Sequence, residues 1–290
     1  MRWTRWDGGV RRCGALLLWP VAAGTLVVTG FLLGEYLGVA RDPGAQAAAR
    51  AGSASRPAAS PAPSAPSARP GAGERRISRY TTRFKPGEPR VRNIEIAARI
   101  LDGRTVRPGA TFSFNRAVGP RTRSRGYVPA PAIVGTRLRK DVGGGICQVS
   151  TTLFNAVFQA GLDIRRVRAH SLYMPEYPQG REAAVAYPGL DFTWRNDSGH
   201  PVVIRTSYTR STLTVSLWGR RRFDVRSRSS GRYAFAPHGA GTGRGHRCVP
   251  MAGRRGFAID VWRTLLEDGR PVRRERFHTR YQPQPRVECA

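Results

Sequence analysis

The chain has 290 residues and a formal net charge of +30, carried almost wholly by arginine, since lysine occurs only at Lys85 and Lys140. The arginines are scattered along the whole sequence instead of being clustered among aromatics. This argues against a nucleic-acid binder and for compositional bias, although the excess charge would still attract anionic polymers such as wall phosphates or lipid headgroups. The length admits one sizeable domain with appendages, or two small ones.

Residues 1–13 carry Arg2, Arg5, Arg11 and Arg12 against Asp7, and residues 14–40 form an apolar run whose one charge is Glu35. About 20 apolar residues cross a bilayer as a helix, and a cationic flank keeps the N-terminus in the cytoplasm. The expectation is a single-pass cell-membrane protein with its folded part outside the cytoplasm. The alternative is a secreted chain, cleaved near Ala40, where Gly38-Val39-Ala40 offers a small-x-small site. Residues 41–76 are dominated by Ala, Pro, Ser and Gly and read as a disordered, extended linker.

From residue 77 the pattern is that of a folded domain. NIEIAARILDG places Ile94, Ala97, Ala98 and Leu101 on one helical face, with Gly103 suited to ending the helix. Phe112 and Phe114 alternate with polar residues as in a half-buried strand after the Pro108-Gly109 turn. GYVPAPAIVGTRLRK is broken by Pro129 and Pro131 and reads as short edge strands or a loop. A helix from Cys147 to Gly161 follows the GGG run, with Val149, Leu153, Ala156, Val157 and Ala160 on one face. Residues 182–197 read as two strands about the Pro188-Gly189 turn, and residues 200–219 as a hairpin turning at Thr209–Thr212. Together these predict an α+β domain over 77–220, an antiparallel sheet with a central helix starting at GGGICQ. Residues 221–290 predict a β-rich extension with a hairpin near Asp268-Gly269.

Cys248 and Cys289 bracket that hairpin. In an oxidising compartment a disulfide between them would close a loop of about 40 residues and stabilise it by roughly 3–4 kcal/mol. With Cys13 at the membrane boundary, Cys147 remains as the odd thiol. It opens a helix, where partial positive charge favours the thiolate. Gly143, Gly144 and Gly145 would let backbone approach a substrate and offer N–H groups to an oxyanion; Gln148 and Ser171 are further candidate binding residues. His170 is the candidate base, expected at a strand end, with Asp191 or its rival Glu182 orienting it. The other reading is a cysteine buried as a small hydrophobe beside glycines that serve packing alone. No ligand spacing joins Cys147 to His170, so no metal or other cofactor is expected.

The blocks FSFNRAVGPRTRSRGY, GGGICQVSTTLFNAVFQAGLDI, HSLYMPEYPQGREAAVAYPGLDFTWRN and PVVIRT, in that order, resemble the VanW family from about Tyr80 to Trp218. The C-terminal hairpin ending in its cysteine is similar to tails on some actinobacterial members. The resemblance implies an envelope protein, often membrane-anchored, from a family named for its place in vancomycin-resistance gene clusters and without an established biochemical role. Family members often carry Asp where this chain has Glu182. Two functions stay open: a binding or accessory module on peptidoglycan or anionic wall polymer, and a thiol enzyme acting on amide bonds of wall peptides.

Overall fold

The structure is a computed structural model that describes residues 75–135 and 137–290. The expected basic N-terminus (1–13) and apolar anchor (14–40), and the linker up to residue 74, lie outside them. Among the described residues no helix is long and apolar enough to cross a membrane.

The first half holds β1 (Arg75–Arg83), α1 (Arg90–Leu101), β2 (Thr105–Val106), β3 (Thr111–Ser113), α2 (Phe114–Val118), a 3-10 turn at Arg123–Arg125, β4 (Pro129–Val134) and β5 (Arg137–Val142). Next come α3 (Ile146–Ala160), β6 (Asp163–Arg166), β7 (Thr193–Arg195), β8 (Val202–Tyr208) and β9 (Thr212–Gly219). The extension holds β10 (Asp224–Ser229), β11 (Tyr233–Ala236), β12 (Ala240–Gly243), β13 (Met251–Arg254), β14 (Gly256–Glu267), β15 (Arg270–Tyr281) and β16 (Gln284–Cys289).

The α+β expectation of one sheet around a central helix is overturned. The described chain is mostly β: sixteen strands in several sheets against three α-helices. The sheets run β1-β9-β8-β2, β3-β7-β6, β4-β5, β10-β14-β11 with β15 on β14, and β12-β16-β13. Pairing is antiparallel apart from the parallel β12–β16 ladder. The missed strands are short, and most residues of β10, β11 and β12 stay exposed. They carry no apolar alternation for a pattern to catch. Residues 129–142 pair as the β4–β5 hairpin with Pro129 and Pro131 in an edge strand, where a missing N–H does little harm.

The positions read as the inner face of α1, Ile94, Ala97, Ala98 and Leu101, are fully buried. In α3 burial extends to nearly every face, because β1 and β9 pack on one side and the extension on another. The extension docks by its long hairpin. Phe277 of β15 meets Phe154 and Phe158 of α3, with ring centroids 6.2 and 5.6 Å apart. That hairpin turns at Asp268 and Gly269, both at positive φ. Cys248 and Cys289 form a disulfide across 41 residues. It ties β16 to the loop before β13 and is worth about 4 kcal/mol on the chain-entropy model.

Candidate active site

The glycine run is a packing device. Gly143 and Gly145 take positive φ (+89° and +100°), and Gly145 caps the N-terminus of α3. A side chain on Gly144 would collide with the backbone carbonyl of Ala130. The N–H groups of Gly143 and Gly144 bond Val128 O and Asp141 O, so both are engaged within the fold instead of facing a ligand. Asn93, fully buried on α1, locks the turn: its Nδ2 donates to Gly144 O and Val128 O at 2.8 Å each. Close approach thus places Cys147 in the first turn of α3, where the helix dipole favours negative charge.

The polar side chains of α3 hold a strand-like segment against the helix. Asn155 Nδ2 donates to Arg181 O (2.9 Å), Ser150 Oγ to Ala183 O (2.5 Å), and Ala183 N–H donates to Thr151 Oγ1 (3.1 Å). Val185 N and O both lie 3.5 Å from Cys147 Sγ. As a thiol, Cys147 donates to Val185 O; as a thiolate it accepts from Val185 N–H. Alternate residues 181, 183 and 185 are therefore fixed to the helix, and Glu182 is pinned between two of them.

Glu182 is buried, at 2% exposure, and its Oε2 lies 2.6 Å from His170 Nδ1. This occupies one ring nitrogen and leaves the other available to Cys147, whose thiol and the imidazole shift each other's ionisation. Tyr177 stacks on the imidazole, centroids 5.4 Å apart and planes 23° apart. Burial alone would keep both Cys147 and His170 neutral. For Cys147, the hydrogen bond and charge of His170, the Val185 N–H and Arg121 overcome burial and push the thiol below its ordinary value. For His170, burial is likewise outweighed, by the bonds and charges of Cys147 and Glu182, and the imidazole is raised to about 10. The site therefore favours a thiolate beside an imidazolium, with a carboxylate behind the ring, and Cys147 keeps partial solvent access. That is the constellation of an activated thiol nucleophile with an oriented base.

The structure separates the other candidates. Asp191 accepts from Ser113 Oγ (2.6 Å) and Asn115 N–H (2.8 Å), where it caps α2. The carboxylate on His170 is Glu182. Gln148 points inward, donating to Thr82 Oγ1 and Arg83 O and accepting from Arg90. Ser171 Oγ donates to Gly135 O, at the turn between β4 and β5. His170 lies on irregular chain after β6, not at a strand end.

Residues 89–218 match the family model described as VanW like protein. This chain carries a VanW-like domain. It is 43% identical over 143 residues to a Bacillus subtilis (strain 168) protein named "Uncharacterized protein YoaR", a match covering 49% of this chain and 47% of that one. It is 30% identical over 118 residues to the Enterococcus faecalis (strain ATCC 700802 / V583) "Vancomycin B-type resistance protein VanW", covering 38% and 42%. The chain thus spans about half the length of these relatives, or less. No solved structure matches.

Cys147, His170 and Glu182 all lie inside the VanW-like domain. Tyr281 and Arg263, which sequence reading missed, lie outside it on the extension. Tyr281 Oη donates to Glu182 Oε1 at 2.5 Å, so each carboxylate oxygen has its own donor. No local spacing links residues 182 and 281. Arg263 had a readable signal: an arginine between Trp262 and the apolar Leu265-Leu266 pair of a largely apolar strand, a place where a charge needs a partner inside.

Proposed function

We propose that this chain is a cell-envelope protein, associated through its family with vancomycin resistance, that performs thiol-dependent acyl transfer on amide bonds of wall peptides. What supports the chemistry is the pairing of Cys147 with His170, with Glu182 held on the far side of the ring. The Cys147 thiolate attacks the amide carbon, and the C–N bond breaks as His170 gives its proton to the departing amine. The resulting thioester is resolved by water or an acceptor amine, which loses a proton to His170. In this reading residues 14–40 anchor the domain outside the membrane, and the arginine excess holds it near peptidoglycan or anionic wall polymer.

The test uses the purified full chain with soluble disaccharide-peptide fragments of peptidoglycan, followed by mass spectrometry. Amide cleavage or exchange is expected, with an acyl adduct on the Cys147 peptide after brief quenching. Cys147→Ser should reduce turnover by about a thousandfold or more. Retention on insoluble peptidoglycan with neither turnover nor adduct would overturn the enzymatic reading and favour a binding module.

A further inference from the structure

We propose that Tyr281, supplied by the C-terminal extension, is a positioning residue of the Cys147 site and that the extension is therefore part of the functional unit. This rests on the thiol-enzyme reading above and deepens it. His170 and Glu182 both sit on chain without regular secondary structure, between β6 and β7. Something must hold a ring and a carboxylate 2.6 Å apart on two such stretches, and the end of β15 does so.

Three contacts meet there. Tyr281 Oη donates to Glu182 Oε1 at 2.5 Å and accepts the Gly180 N–H at 2.8 Å. The next residue, Gln282, donates its backbone N–H to Ser171 O at 2.7 Å, one position from His170. One strand end thus grips the loop bearing the base and the loop bearing its carboxylate. Tyr281 is itself immobilised: it is 2% exposed, pairs across the hairpin with Phe257 (centroids 4.9 Å apart) and meets Tyr173 edge-on at 5.5 Å. A buried carboxylate needs a donor on each oxygen to hold one orientation, and here the second donor comes from outside the family-matched span.

Tyr281→Phe keeps the ring and its stacking and removes only the hydroxyl. Glu182 then lacks its Oε1 donor and is free to turn from Nδ1, which weakens the field that keeps the proton on His170 and, through it, the charge on Cys147. Burial also helps keep the phenol protonated, as a donor must be. The other charged or titratable groups facing these residues are Arg121, Arg90, Glu176, Tyr177 and Tyr173, and the substitution leaves all of them in place.

The experiment measures iodoacetamide alkylation of Cys147 against pH in the full chain, with the adduct located by mass spectrometry. Wild type, Tyr281→Phe, Glu182→Gln and the double variant are compared, and thermal stability is recorded for each. In Tyr281→Phe the acid limb should move to higher pH, with labelling about tenfold slower near pH 6 and unchanged at alkaline pH. Glu182→Gln should shift further, and adding Tyr281→Phe to it should change nothing more. A Tyr281→Phe profile superimposed on wild type, or lowered equally at every pH, would overturn the positioning role while leaving the thiol-enzyme reading intact. A wild-type profile with an ordinary thiol pKa would overturn both.

Discussion

Replacing His170 with Ala is expected to slow alkylation of Cys147 near pH 6 by about a hundredfold, because the thiolate fraction falls once the ring's bond and charge are gone. The reason lies in the balance at the sulfur. Burial, the largest single influence on Cys147, opposes ionisation, and the hydrogen bond and charge of His170 are the main forces that reverse it. Without the ring, only the Val185 N–H, the more distant Arg121 and the helix N-terminus remain, and burial wins. The sign on the other side is equally definite. The folded-state pKa of His170 lies above its unfolded value, so the stabilisation from its proton is complete below about pH 6.5. It is lost as pH rises through about 10. Turnover should accordingly fall at both ends: in acid as the thiolate is protonated, and near pH 10 as the imidazolium loses the proton it must donate. Equal labelling of wild type and His170→Ala at every pH would mean the ring does not activate the thiol.

Arg263→Met is expected to destabilise the fold by about 3–5 kcal/mol, as removal of one partner from a buried charge network does. For a chain of this size that lowers the melting temperature by roughly 6–20 °C. Arg263 is fully buried on β14 beneath the C-terminus of α3. Its Nη1 and Nη2 donate to Phe158 O and Leu162 O at 3.1 Å each, and its Nε to Glu275 Oε2 at 2.5 Å. The guanidinium lies over the rings of Phe158 and Phe277, at 5.0 and 5.8 Å. Helix C-termini present unpaired carbonyls and partial negative charge, and this one receives a cation from another sheet. Arg273 adds a contact to Gly161 O at 3.3 Å. Arg263→Lys should recover little, because an ammonium cannot reproduce three bonds in one plane while lying over two rings. A calorimetric melting temperature within a degree or two of wild type would show that the arginine is dispensable.

The pattern of success in reading the sequence follows from how far each signal reaches. The GGGIC turn, the buried face of α1 and the β8–β9 and β14–β15 hairpins are written locally, in glycines, 3.6-residue spacing and alternation, and the structure holds each of them. Cys147, His170 and Glu182 could be picked out as residues with the right chemistry, and the fold brings those three together. Choosing between Glu182 and Asp191 could not be done by counting residues. The choice depends on Ser150, Thr151 and Asn155 binding the 181–185 backbone to α3, while Asp191 is drawn off to cap α2. The glycines looked like a cradle for ligand, but the room they leave is filled by the backbone of residues 130–131 and by Arg90. The overall class was misjudged because several strands, such as β10, β11 and β12, are short and mostly exposed, so their pairing is set by tertiary partners and not by an amphipathic pattern. Tyr281 was invisible for a related reason: its role is defined only by a partner 99 residues away.

The most direct test of the ionised pair is a pH titration of thiolate ultraviolet absorbance, taken as the difference between the full chain and its Cys147→Ser variant. The account predicts a difference signal that persists well below about pH 8.5, the ordinary thiol range, and disappears only in acid. A signal that emerges only at or above that range would show Cys147 to be a neutral buried thiol and would contradict the thiolate–imidazolium site.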